Sequence, residues 1–288
     1  MASSTITEEF YALARQFRQR TQELGLGDLR RYCWYHTVDL GDGLITPGVY
    51  DYRDCWEAYH FPANLHGMTV LDVGSATGFF AFEFEKRGAR VVSVELPSLN
   101  QLDRFPGQTT EQVVSKILRM NPPPAPESFP GQTGNYTAEE LYFYLLEGPF
   151  RFCHTWLNSK IERHYSTIYD LSAKNLGTEG FDLVFLGDIL LHTLYPLQAL
   201  AAVAPLCKGT LVLCQEMPET PGIGPAMLYV GGENPQEDDI SWWWPNKLCF
   251  IQMLKKLGFR HVEEVGRGQG VLRPSGHPFD HPILHAQR

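Results

Sequence analysis

The residues of this chain best suited to holding a small molecule stand together at Val70-Leu71-Asp72-Val73-Gly74-Ser75-Ala76-Thr77-Gly78-Phe79-Phe80. Small side chains between an apolar strand and a helix let the backbone come close to a ligand. Asp72, at the strand end, is placed to organise that turn or to face a positively charged group. Further on stands Glu95, and an acid at the end of the following strand can accept both hydroxyls of a ribose. Proton transfer has three candidates, His192, Asp188 and His36. Each could take a proton from a hydroxyl or an amine, and each could equally be a packing residue or a cap. Trp242-Trp243-Trp244 is either an aromatic wall for a flat ligand or an anchor for the helix that follows. His277, His281 and His285 recur every four residues, but Pro278 and Pro282 exclude the helix that would gather them on one face, so no metal site is assigned.

The elements that must position these residues follow from periodicity. Thr69–Val73 and Ala89–Glu95 read as short apolar strands, joined by a turn over Gly74–Gly78 and a helix from Phe79 to Arg87 that Gly88 ends. Upstream, Thr7–Leu24 is an amphipathic helix with Thr7 as a possible cap, followed by an aromatic-rich segment from Tyr32 to Tyr59. Downstream come a Pro-rich loop over Asn121–Pro126 and Phe129–Gly131 and a helix over Thr137–Leu157. Strands are expected over His164–Tyr169, Phe181–Leu186 and Thr210–Cys214, with helices over Pro196–Pro205 and Pro245–Leu257. His261–Val265 and Ile283–Ala286 are the last candidate strands. This alternation predicts an α/β fold, a doubly wound and mostly parallel sheet in which ligands sit beyond the carboxyl ends of the strands. Residues 1–66 then form an N-terminal helical and aromatic extension that could close over the site as a lid. Residues 67–288 form the main domain, with an insertion at about 100–160 after the second strand.

Bulk composition narrows the partners. The chain has 288 residues and a formal net charge of −9, with 43% hydrophobic and 20% charged residues, enough apolar content for one packed domain. An acidic total argues against a nucleic-acid backbone as partner without excluding a local basic patch. No apolar run reaches the ~20 residues of a membrane helix, and Met1–Phe10 carries no basic-then-apolar leader pattern. The six cysteines form no CxxC pair, which fits free thiols and a cytoplasmic location. The pattern leaves the oligomeric state open.

The D-x-G-x-x-x-G arrangement of Asp72, Gly74 and Gly78 resembles motif I of the class I methyltransferases that use S-adenosylmethionine (SAM). A dinucleotide fingerprint would need glycine where Ala76 stands. The resemblance implies a Rossmann-like fold and SAM as cofactor. It implies Asp72, Gly74, Ser75, Ala76, Thr77, Gly78 and Glu95 around SAM, Tyr169 and Asp170 near its adenine, and Gly187 and Asp188 where donor meets acceptor. Trp34-Tyr35-His36, Thr46-Pro47-Gly48, Asp51-Tyr52-Arg53, Ile189-Leu190-Leu191-His192 and Pro245-Asn246 to Gly258-Phe259 are similar to the tRNA wobble-uridine carboxymethyltransferase-like branch. Those tRNA enzymes hold a carboxylated SAM with an upstream lysine and a tyrosine before the histidine. Here Gly41–Gly48 has no lysine and Leu191 precedes His192, so ordinary SAM and a small-molecule acceptor are expected. The alternatives are a tRNA-modifying methyl- or carboxymethyltransferase, and a NAD(P)-binding or non-catalytic Rossmann-like protein.

Overall fold

The computed structural model describes residues 2–27, 29, 32–120, 136–234 and 240–288. The Pro-rich segment expected over Asn121–Pro126 and Phe129–Gly131 lies outside them. In chain order the elements are helix α1 (Ala2–Glu23), strand β1 (Thr69–Val73), α2 (Phe79–Lys86), β2 (Arg90–Glu95), α3 (Thr110–Met120), α4 (Ala138–Tyr142), α5 (Gly148–Trp156) and β3 (Glu162–Tyr165). There follow β4 (Phe181–Gly187), α6 (Pro196–Val203), β5 (Cys207–Cys214), β6 (Met227–Tyr229), β7 (Trp243–Pro245), α7 (Lys247–Lys256), β8 (His261–Leu272) and β9 (His277–Gln287).

Seven strands form one sheet in the order β3-β2-β1-β4-β5-β9-β8, while β6 and β7 pair separately. From β3 to β5 every pairing is parallel, and β9 runs antiparallel to both its neighbours. Strand order reverses between β1 and β4. In an open α/β sheet such a switch leaves a crevice at the carboxyl ends. This is the doubly wound, Rossmann-like fold expected.

Alternate residues of the central strands feed opposite faces, as a pleated strand requires. Val70, Leu183, Phe185 and Val212 pack on one face, and Leu71, Val184, Leu186 and Leu211 on the other. Both faces are therefore covered, which explains the continuous apolar runs. On the first face the cover comes from α2 and the N-terminal segment, where Phe17, Trp34, Tyr52, Trp56 and Tyr59 join Phe80 and Phe84 in one core. On the second it comes from α6 and α7, through Ala199, Leu200, Phe250 and Leu254. The insertion between β2 and β3 has its own small core of Leu99, Val113, Val114, Ile117 and Leu141.

Several boundaries differ from expectation. Thr7 does not cap α1 but lies inside it, its hydroxyl donating to the Pro274 carbonyl at 2.8 Å. The helix expected over Thr137–Leu157 is broken into α4, a π-helical turn at Phe143–Glu147, and α5. Pro149 explains the turn, since a proline inside a helix lacks its N–H and crowds the carbonyl one turn back. The strand expected to run to Tyr169 stops at Tyr165, and Ile168–Asp170 is a 3-10 turn. Helix α7 starts at Lys247 with Asn246 as its cap, because Trp243–Pro245 is strand β7. The last two strands are longer than expected. Pro278 and Pro282 are tolerated because β9 pairs only with β8 there, and with β5 only from Ile283 onward.

Candidate active site

The glycine turn after β1 is built by close approach. Gly74 has φ of 74°, and a Cβ there would sit 2.7 Å from Ile189 Cδ1. Gly78, at φ 92°, is the N-terminal cap residue of α2. Between them Ala76 adopts φ of 48°, unusual for a residue with a side chain. Its N–H donates to Glu95 Oε2 at 2.9 Å, and the Leu96 N–H donates to Oε1 at 2.9 Å. Both carboxylate oxygens are thus fixed, and each keeps a lone pair for a ligand hydroxyl.

Arg163 on β3, which no sequence signal singled out, braces this turn from behind. Its guanidinium donates to Ser75 Oγ at 2.5 Å, Ser93 Oγ at 2.8 Å and the Ala76 carbonyl at 3.2 Å. It lies 3.9 Å from the centre of the Phe150 ring and 3.9 Å from Glu95 Oε2. The Ser75 and Ser93 hydroxyls are 2.6 Å apart. On the other side Thr77 accepts from the His36 N–H at 3.0 Å, so the N-terminal segment is tied directly to the turn.

Asp72 is 2% exposed, and its Oδ2 has no hydrogen-bond partner among the described residues. Burial pushes its carboxyl up to about 7, against the pull of Arg163 and with the repulsion of Glu95. A buried carboxylate short of partners is what a cationic ligand group would relieve.

Two connected lobes of a cavity open at the carboxyl ends of β1, β2 and β4. The smaller, about 470 Å³ and partly open to solvent, lies among Val73, Glu95, Asp103, Ile168 and Tyr169. The larger, about 1180 Å³ and likewise partly open, has Asp72, Tyr35, Tyr52, Tyr59, Phe185 and Asp188 in its walls. Gly74, Glu95, Ile189 and His192 line both. The smaller lobe falls within the usual size range of ligand pockets, and the larger lies just above it.

The structure brings most of the sequence candidates together. Asp72, Gly74, Ser75, Ala76, Glu95, Gly187, His36, Asp188 and His192 line the larger lobe, and Tyr169 the smaller. Thr77 and Gly78 support the turn without lining it. Asp170 is exposed, bonded to Thr167 at 2.5 Å, and lies outside both lobes. The carboxylate that does face the smaller lobe is Asp103, which accepts from the Tyr169 hydroxyl and the Leu194 N–H. None of Trp242–Trp244 lines the cavity. Trp242 is buried, its backbone N–H donating to the Leu191 carbonyl at 2.8 Å, and the Trp243 indole donates to the Leu194 carbonyl. The run anchors the β6–β7 hairpin beneath the His192 turn.

The three proton-transfer candidates differ in chemistry. His36 is buried, its pKa held down to about 3, and its Nδ1 accepts from the Phe79 N–H at 3.4 Å. The neutral ring therefore carries its proton on Nε2 and serves as a donor. His192 Nδ1 lies 3.0 Å from the Ile240 carbonyl and must donate, so in the neutral ring Nε2 is the acceptor, the opposite tautomer to His36. Asp188 follows Gly187 in a left-handed conformation, φ 47°. Its Oδ2 is 3.2 Å from His281 Nδ1, and its Oδ1 is buried without a partner among the described residues. His281 and His285 are separated in role, the latter bonded to the Tyr59 carbonyl at 2.9 Å. Among the described residues no three His, Cys, Asp or Glu side chains could hold a metal ion, and no helix is long and apolar enough to cross a membrane.

No family model matches the chain. A cypemycin N-terminal methyltransferase from a Streptomyces species is 40% identical over 68 residues, a stretch of 23% of this chain and 26% of that protein. The chain thus matches about a quarter of that relative's length. Magnesium protoporphyrin IX methyltransferase (ChlM) from Synechocystis PCC 6803 with bound SAM has 14% sequence identity and a TM-score of 0.45, over 78% of this chain and 72% of that one. The N-terminal domain of EvdMO1, solved with SAH and D-fucose, has 14% identity and a TM-score of 0.45, over 95% of this chain and 97% of that domain.

Proposed function

We propose that this chain is a SAM-dependent methyltransferase of the class I type that methylates a small molecule. One observation carries the reading: Asp72 and Glu95 end adjacent parallel strands in the switch-point crevice, with Asp72 Oδ2 buried and unpartnered. The cations of SAM suit Asp72, and its ribose hydroxyls suit Glu95. Gly74 leaves room for the close contact. A dinucleotide would bring a pyrophosphate to walls that hold Asp72, Glu95 and Asp188 and, among the described residues, no Lys or Arg. The 68-residue likeness to the Streptomyces methyltransferase supports the same reading.

Bound SAM supplies a methyl group on a positively charged sulfur. The chain's own part is to align the acceptor and exclude water. In this reading His192 Nε2 takes the acceptor's proton, and His36 and Asp188 orient groups around it. Residues 1–66 supply the near wall through Tyr35, His36, Tyr52 and Tyr59, closing the site as a lid would. A carboxylated SAM finds no Lys or Arg among the described residues of the lining, and burying its extra carboxylate unpaired would be costly. A plain methyl group is therefore the transferred unit, and the net charge of −9 favours a small acceptor over tRNA. Six free cysteines fit the cytoplasm.

Melting of the purified chain with SAM, SAH and NAD tests the proposal. A ligand at a hundred times its Kd adds about 2.7 kcal/mol to stability. SAM and SAH are expected to raise the melting temperature and NAD to leave it unchanged. A shift with NAD, or none with SAM, would overturn the reading.

A further inference from the structure

With Asp72 and Glu95 assigned to the methyl donor, one carboxylate remains among the described residues of the larger lobe's walls, Asp188. Asp188 is bonded through Oδ2 to His281, whose other ring nitrogen lies 3.7 Å from Glu216. Even with His281 protonated, the two carboxylates and one imidazolium leave this cluster one negative charge in excess. Oδ1 of Asp188 has no partner among the described residues. The surrounding groups cannot neutralise it. They are the phenols of Tyr35, Tyr50, Tyr52 and Tyr59 and the thiol of Cys214, and burial first, then the Asp188 charge, holds the Tyr52 hydroxyl in its neutral form. Three of those rings, Tyr35, Tyr52 and Tyr59, line the lobe with Phe80 and Phe185. Aromatic faces beside an unneutralised carboxylate attract an organic cation.

We infer that the methyl acceptor is an amine on an apolar, ring-sized body, its ammonium held by Asp188 and its body lying along the Tyr35, Tyr52, Tyr59 and Phe185 wall. This inference rests on the methyltransferase reading above. A bound ammonium has no lone pair, so it must lose a proton before methylation. His192 Nε2, the acceptor nitrogen of its ring, takes that proton. The freed lone pair then forms a bond to the methyl carbon as the carbon–sulfur bond breaks. Its electrons stay on sulfur, giving SAH and an N-methylated ammonium. Asp188 therefore acts on the substrate as a cation anchor, with His192 as the base.

The test uses two matched sets of probes on the full chain saturated with SAH, by calorimetry: 2-phenylethylamine, 2-phenylethanol and phenylacetate, and tryptamine, tryptophol and indole-3-acetate. In at least one set the amine is expected to bind tenfold or more tighter than the alcohol, with no binding of the carboxylate. Asp188→Asn, which suits the left-handed backbone there, should erase that preference while SAH affinity stays within threefold. Alcohol or carboxylate binding as tightly as amine, no amine binding in either set, or an unchanged preference in the variant overturns the inference. Absence of SAH binding to the parent chain is a separate result, which overturns the methyltransferase reading itself.

Discussion

Replacing Asp72 by Asn should stabilise the ligand-free protein at neutral pH while weakening its hold on SAM. Burial raises the Asp72 carboxyl from 3.8 to about 7. Over that window the folded chain keeps a proton that the unfolded chain has released. Stability therefore falls as pH rises from about 4 to about 7, and the loss is complete above 7. A rise of about 3 units at 1.36 kcal/mol each makes the full cost about 4 kcal/mol. Urea denaturation of parent and Asp72→Asn from pH 4 to 8 reads this directly. The variant should gain on the parent across the window, reaching a few kcal/mol at pH 8. SAM binding moves the other way. If the ionised carboxylate pairs with a SAM cation, about one molecule in ten is competent at pH 6 and nine in ten at pH 8, so parent affinity should rise roughly tenfold between them. The variant should lose that pH dependence. A stability difference that stays flat with pH, or parent affinity that does not rise, would refute the reasoning.

Three further substitutions probe the rest of the site. Glu95→Ala removes two charge-assisted hydrogen bonds to the ribose and should weaken SAM binding about ten- to hundredfold by calorimetry. Gly74→Ala places a Cβ 2.7 Å from Ile189 at a φ of 74°, so a loss of about 1–3 kcal/mol in stability is expected by denaturation, with weakened SAM binding. His192→Gln should lower kcat by about 10²–10⁴ while SAM affinity stays within threefold, and the acidic limb of the pH–rate profile should change.

How far the sequence could be read depended on whether a signal was local. Val70–Val73 and Phe181–Leu186 announce buried strands because both their faces are covered. Gly74 and Gly78 announce the turn because positive φ favours glycine. Arg163 stayed invisible, as a single arginine in a short strand whose partners come from elsewhere, Ser75 and Ala76 from the turn after β1 and Ser93 from β2. Asp103 and Tyr169 likewise meet only in three dimensions, which is why Asp170 looked the better acid from its place after a strand. Ala76 conceals its left-handed backbone because that geometry is imposed by Glu95 and Arg163 rather than by its own type. The Trp242–Trp244 run could be read two ways until the carbonyls of Leu191 and Leu194 supplied partners for it. The length of β8 and β9 was hidden by Pro278 and Pro282, which local rules count against any strand.

A crystal structure with SAH bound tests the central claim most directly. The account predicts the nucleoside over the carboxyl ends of β1 and β2, with both ribose hydroxyls within about 2.5–3.0 Å of the Glu95 oxygens and the amino group beside Asp72. Nucleoside density elsewhere, or a Glu95 carboxylate still engaged only by the Ala76 and Leu96 amides, would contradict it.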